Sequence, residues 1–185
     1  MDKKIFRDIS YGMYFISSIF NNEKVGCVIN TLCQITSNDP IISISLNKDN
    51  YTNKIIKLNK CFGISIISND TPKEVIGKFG YYTSKNTDKF SNIKYNLIND
   101  IPIVEENICG YLIVDVIEII DCNTHDIIIG KVINSKKTSD KIPMTYKYYH
   151  ENLKGLSPKN APTYIEEKNN TNSNKYKCKL CGYIY

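Results

Sequence analysis

Short runs of β-branched and aromatic residues, cut by Asn, Asp and Lys, recur from Tyr11 to Ser135, and this pattern limits the folds open to the chain. SYGMYFISSIF is broken by NNEK and resumes as VGCVIN, which reads as a β-hairpin. IISISLN alternates over Ile42, Ile44 and Leu46 and should bury one face. CFGISII reads as a further strand, and GYLIVDVIEIID and HDIIIGKVINS, flanking CNT, read as a long antiparallel pair. Helical signals are few. In TPKEVIGKF, Thr71 precedes Pro72 at the first helical position and Glu74 follows three residues after Thr71, the pattern of a capping box. Asn50 or Thr52 is placed to cap a second helix through NKIIKLNK. Many short strands with few helices predict a mainly β fold, a closed or nearly closed antiparallel barrel.

At 185 residues, 42% of them hydrophobic, the chain has room for one ordinary domain and a short extra piece. Its net charge of +5 is spread as Lys among Asp and Glu, without the basic stripe and interleaved aromatics of a nucleic-acid protein, so a small anionic ligand is the more economical partner. No apolar run approaches the ~20 residues a membrane helix needs. Arg7 and Asp8 interrupt the apolar start and no small-residue cleavage site follows, so a cytoplasmic, reducing location is expected. Cys27, Cys33, Cys61, Cys109 and Cys122 mostly lie in apolar surroundings and are expected to behave as small hydrophobes.

From Gly155 the periodicity dissolves into SPKNAPTYIEEKNNTNSN, which has the composition of a linker. The expected organisation is a β-rich domain over 1–154, a linker over 155–174 and a fragment over 175–185. That fragment, YKCKLCGYIY, carries Cys178 and Cys181 as half of a tetrahedral sulfur site for iron or zinc. With an aromatic before the first cysteine and Gly-Tyr-Ile-Tyr after the second, it resembles the first iron-binding knuckle of rubredoxin. Rubredoxins add two cysteines from a second knuckle, which this sequence does not reach. The fragment is therefore read as the truncated start of a rubredoxin-like domain, holding iron only if the second knuckle is present.

YGMYFISS, INTLCQITSNDPIISISLNKDNYTNKII, DTPKEVIGKFG, DKFSNIKYN, THDIIIGKV, TYKYYH and SPKNAPTY follow one another as in the flavin reductase-like family. The chain resembles that family over essentially its whole length, and most of all its fusions to rubredoxin. The resemblance implies a split antiparallel β-barrel that carries FMN, pairs as a homodimer and takes electrons from NAD(P)H. Read by residues alone, Lys48 is an exposed lysine beside an ordinary helix cap, although a strand end, a lysine and a helix N-terminus together also suit a phosphate. The resemblance assigns Ser45, Asn47, Lys48 and Thr52 to phosphate. Asn30, Thr31, Gln34, Thr36 and Ser37 read alone as a polar loop satisfying its own backbone; the resemblance lays them along the pyrimidine edge of the flavin ring. His125 reads alone as a solvated turn residue, and by resemblance lies on the side where nicotinamide approaches. Tyr146, Tyr148, Tyr149 and His150 read as packing and a helix terminus.

The function expected is an FMN-dependent NAD(P)H oxidoreductase, passing electrons to a rubredoxin iron centre or another acceptor. A flavin-binding electron carrier without its own nicotinamide site is the alternative, since no G-x-G-x-x-G follows a strand here. A plain β-barrel interaction module is a third reading, in which the phosphate-site match is accidental.

Overall fold

The computed structural model describes residues 5–6, 8–158 and 161–164. Its elements are β1 (Tyr14–Phe20), β2 (Glu23–Ile29), β3 (Leu32–Gln34), β4 (Ile41–Asn47), α1 (Tyr51–Asn59), β5 (Cys61–Ile67), α2 (Lys73–Tyr81), β6 (Tyr95–Ile98), β7 (Ile101–Val104), β8 (Ile108–Cys122), β9 (His125–Lys137) and α3 (Tyr146–Glu151). Seven strands pair antiparallel in the order β2-β1-β5-β8-β9-β4-β3, and β6 and β7 form a separate hairpin.

Ile16, Cys27, Ile44, Phe62, Val114 and Ile128 come from six strands yet meet in one buried cluster. In a flat sheet β2 and β4 would stand roughly 24 Å apart, five strand spacings, so the sheet must curl until its inner faces touch. Only Asn30 and Thr31 separate β2 from β3 in sequence, yet these two strands end the order at opposite edges and are not paired. This open seam makes the barrel split, as expected. A second cluster packs α2, α3 and the β6–β7 hairpin against the outside. Phe79 stands in it, fully buried, 4.7 Å from Phe15 and 5.3 Å from Phe90 by ring centroids. Truncating it would cost about 3–5 kcal/mol.

The first hairpin turns on Asn21 and Asn22, both left-handed at φ 49° and 64°, as a two-residue type I′ turn demands. Ile42, Ile44 and Leu46 are buried along β4 as the alternation predicts. Asn50 caps α1, its side chain accepting the Thr52 N–H at 3.0 Å. The capping box expected at Thr71 does not form. Thr71 is buried and its hydroxyl donates to the Asn107 carbonyl at 2.6 Å, so Pro72 becomes the N-cap with no side-chain bond. Cys27 and Cys109 are buried and Cys61 half-buried, but Cys33 and Cys122 are exposed, because β3 is a short edge and Cys122 sits at a hairpin tip.

Candidate functional site

Where β2 and β4 end and α1 begins, their backbones frame a cavity of about 370 Å³, within the range of small-molecule pockets. Asn30 and Thr31 at the end of β2, Ser45 and Asn47 at the end of β4, and Asn50 and Tyr51 at the start of α1 form one side. His125 enters from the start of β9, held there because it pairs with Asn47. Tyr81, Thr83, Lys89, Tyr146 and Tyr149 close the other side.

Lys89 sets the electrostatics. It is buried at 2% exposure, and its Nζ donates to the Gly26 carbonyl at 2.7 Å and the Phe79 carbonyl at 2.8 Å. Among the described residues no carboxylate pairs with it. Burial pushes its ammonium down to about 8. Burial raises the Cys27 thiol, and the charge of Lys89 and the side chains of Thr52 and Asn50 act in the opposite direction. A buried cation and the first turn of α1 thus line the same cavity, two independent sources of positive potential.

The chain delivers Lys89 through local geometry. Asp88 Oδ1 accepts the Phe90 N–H at 2.9 Å, a turn that sends Phe90 into the outer core and Lys89 toward the cavity. Its target, Gly26, lies on the edge strand β2, where Ser84 Oγ also bridges the Gly26 N–H and carbonyl at 3.0 and 3.1 Å. A side chain at Gly26 would collide with the Phe79 ring at 2.6 Å.

His125 supplies a second mark of a ligand site. Its Nδ1 lies 2.9 Å from Thr124 Oγ1, and its buried Nε2 has no hydrogen-bond partner among the described residues. An unpaired buried nitrogen on a cavity wall is a site a ligand atom would satisfy.

Of the residues singled out in the sequence, Asn30, Thr31, Ser45, Asn47 and His125 line the cavity. Thr52 is buried within the first turn of α1 and is not part of the cavity lining. Lys48 points elsewhere, its Nζ 2.5 Å from Asp121 Oδ1 while its N–H donates to Thr124, so it ties β4 to the β8–β9 turn. Gln34, Thr36 and Ser37 are exposed and outside the cavity lining; Thr36 Oγ1 donates to the Asp39 carbonyl and accepts the Ile41 N–H, so that loop serves its own backbone. Cys178 and Cys181 lie outside the described residues. Lys89 was missed by sequence reasoning; the Asp-Lys-Phe order, a turn-forming acid before an aromatic, was the available signal.

The segment after α3, expected as linker, instead contributes Leu156, Pro158, Ala161 and Pro162 to the cavity wall. Hydroxyls fasten it: Tyr146 bonds to Ser157 Oγ, Thr163 Oγ1 donates to Tyr146 at 2.8 Å, and Asn30 Nδ2 donates to Thr163 at 3.3 Å. Tyr81 OH donates to the Leu156 carbonyl at 2.7 Å. Composition read this stretch as linker because its anchors are single polar contacts, which leave no periodicity.

A family model described as "Flavin reductase like domain" matches residues 6–157. The chain is 37% identical over 190 residues to the high molecular weight rubredoxin of Moorella thermoacetica, covering 100% of this chain and 83% of that protein. It is 34% identical to the ferric-chelate reductase (NAD(P)H) of Archaeoglobus fulgidus, over 91% of this chain and 100% of that one. The structure of the flavin reductase HpaC complexed with NADP+ superposes with a TM-score of 0.68 at 25% identity, covering 78% of this chain and 90% of that one. The chain is thus an oxidoreductase of the flavin reductase-like family.

Proposed function

We propose that the cavity holds FMN and that the chain draws electrons from NAD(P)H, delivering them to a rubredoxin-type iron centre or another acceptor. The observation that carries this reading is the buried Lys89, without a carboxylate partner among the described residues, lining the same cavity as the N-terminus of α1, which is the charge arrangement a phosphate monoester satisfies. When bound, FMN supplies a ring that accepts a hydride and gives electrons up singly. Asn47, Asn50 and Tyr51 would offer polar groups at the phosphate end, with Lys89 supplying the buried cation expected of Lys48. Asn30, Thr31 and Ser45 would meet the ring edge, and His125 Nε2 would orient a polar atom of the flavin or nicotinamide. Tyr81, Tyr146 and Tyr149 keep one wall apolar and exclude water.

A homodimer suits the β8–β9 hairpin, where Ile117 and Ile133 stand 56% and 45% exposed. Among the described residues no helix is long and apolar enough to cross a membrane, and the proposed setting is the cytoplasm. Cys178 and Cys181 would supply half of an iron site whose remaining thiolates come from a second knuckle.

The test is the visible spectrum of the purified protein loaded with FMN, before and after anaerobic NADH or NADPH. A bound-flavin spectrum that bleaches with either nucleotide is expected. Bound flavin that stays oxidised with both would reassign the chain as an electron carrier, and failure to bind flavin would end the reading.

A further inference from the structure

Behind the cavity lies a buried acid that the site does not use. Asp126, the residue after His125, is 2% exposed. Its Oδ2 accepts from Asn53 Nδ2 at 2.7 Å and from Lys57 Nζ at 2.6 Å. Desolvation alone would raise its carboxyl, but the hydrogen bonds from Lys57 and Asn53 outweigh it and hold the group below the usual carboxylate range. Asn53 and Lys57 are four residues apart on α1 and so share one face of the helix. Both bonds converge on one carboxylate oxygen from adjacent turns, so a single stripe of α1 is held against the start of β9. Asn53 Nδ2 reaches further, to the Asn47 carbonyl at 3.2 Å.

Three parts of the cavity rim are thereby referred to one carboxylate. They are His125 through the backbone of β9, Asn47 through Asn53, and the first turn of α1 through the helix itself. A buried ion pair is weak as a source of stability, because apolar residues of the same volume serve as well; what it supplies is a unique geometry. We infer that Asp126 is a positioning residue, which holds the N-terminal turn of α1 in register with His125 so that the cavity receives a ligand's phosphate group. The inference rests on the flavin-binding reading for its ligand and on the Asp126–Asn53–Lys57 triad for its geometry.

Asp126→Asn keeps the shape and removes the charge. The first readout is the ratio of FMN to riboflavin affinity, two ligands differing by the phosphate. We expect FMN binding to weaken on the order of tenfold and riboflavin binding to change less than about twofold. Equal losses for both ligands, or no loss for either, would overturn the inference. The second readout needs no ligand: amide hydrogen exchange should quicken at least about tenfold in the first turn of α1 and stay constant in β1 and β5. Unchanged exchange there would overturn the inference even in a protein that binds no flavin, whereas quickened exchange without flavin binding would remove only the flavin reading. Should Asp126→Asn fail to fold, Lys57→Met severs one tie at a half-exposed position, and both readouts should move in the same direction by a smaller factor.

Discussion

Two lysines stand near the cavity, and the regions that carry them differ in what they do with a charge. At the β4–α1 corner, Lys48 is partly exposed and paired with the exposed Asp121. In the loop between α2 and β6, Lys89 is buried, bonded among the described residues to backbone carbonyls, and brought down to about 8 by desolvation. An exposed pair adds little to stability or to a ligand's field, because water screens it. A buried cation held by neutral partners is costly while the cavity lacks an anion, and it repays that cost when one arrives. Proximity to a cavity thus counts for less than which charge has no other partner.

The sharpest way to break the comparison is to remove each cation in turn. Lys89→Met should weaken FMN by about 2 kcal/mol, roughly thirtyfold, and leave riboflavin nearly unchanged, whereas Lys48→Met should cost less than about threefold. Isothermal titration with both ligands reads this, with thermal melts confirming that each variant is folded. Equal losses for the two variants would erase the distinction.

The pH dependence sharpens it next. FMN phosphate prefers protonated Lys89, so affinity should hold below pH 8 and fall by up to about tenfold per unit above it, a slope absent from riboflavin and from Lys89→Met. The ligand-free protein should respond in the opposite sense. Because the ammonium of Lys89 sits at about 8 when folded and about 10.4 when unfolded, the unfolded chain binds more protons between those values. The penalty of burying the charge is full below pH 8 and is relieved as pH rises through the window. Denaturant midpoints across this range, wild type against Lys89→Met, isolate that contribution.

Smaller effects are expected at the other corner. Asn50→Ala removes the cap of α1 and should cost about 1 kcal/mol of stability with a several-fold loss of FMN affinity, read by urea unfolding and titration. Asp121→Asn frees Lys48 and should change FMN affinity by less than about twofold, since the released ammonium faces solvent.

Much of the barrel was legible because period-two burial and Asn-rich turns are local signals. The first hairpin, β4, β5 and the long β8–β9 pair all fall where alternation places them. β3, β6 and β7 are three or four residues long, too short to show a period. The corner around Asn47 and Asn50 was legible for the same reason, since a strand end followed by a cap is a contiguous pattern. Lys89 was not, because its burial depends on Gly26 and Phe79, which lie far away in sequence. Thr71 shows the converse failure. Its local motif was sound, but a carbonyl at Asn107 offered its hydroxyl a better partner.

The hydroxyl ties of Thr163 and Tyr81 also settle where the chain's journey beyond the barrel begins. With Ala161 and Pro162 in the cavity wall, the polypeptide stays beside the candidate site after α3 instead of leaving the barrel at the end of that helix. A segment following Tyr164 would start beside that cavity, and the described residues after α3, 152–158 and 161–164, would be taken out of a tether's slack. Local concentration falls roughly as the three-halves power of tether length, so cutting those ties would lower the effective concentration, at the cavity, of whatever a tether beyond Tyr164 carries.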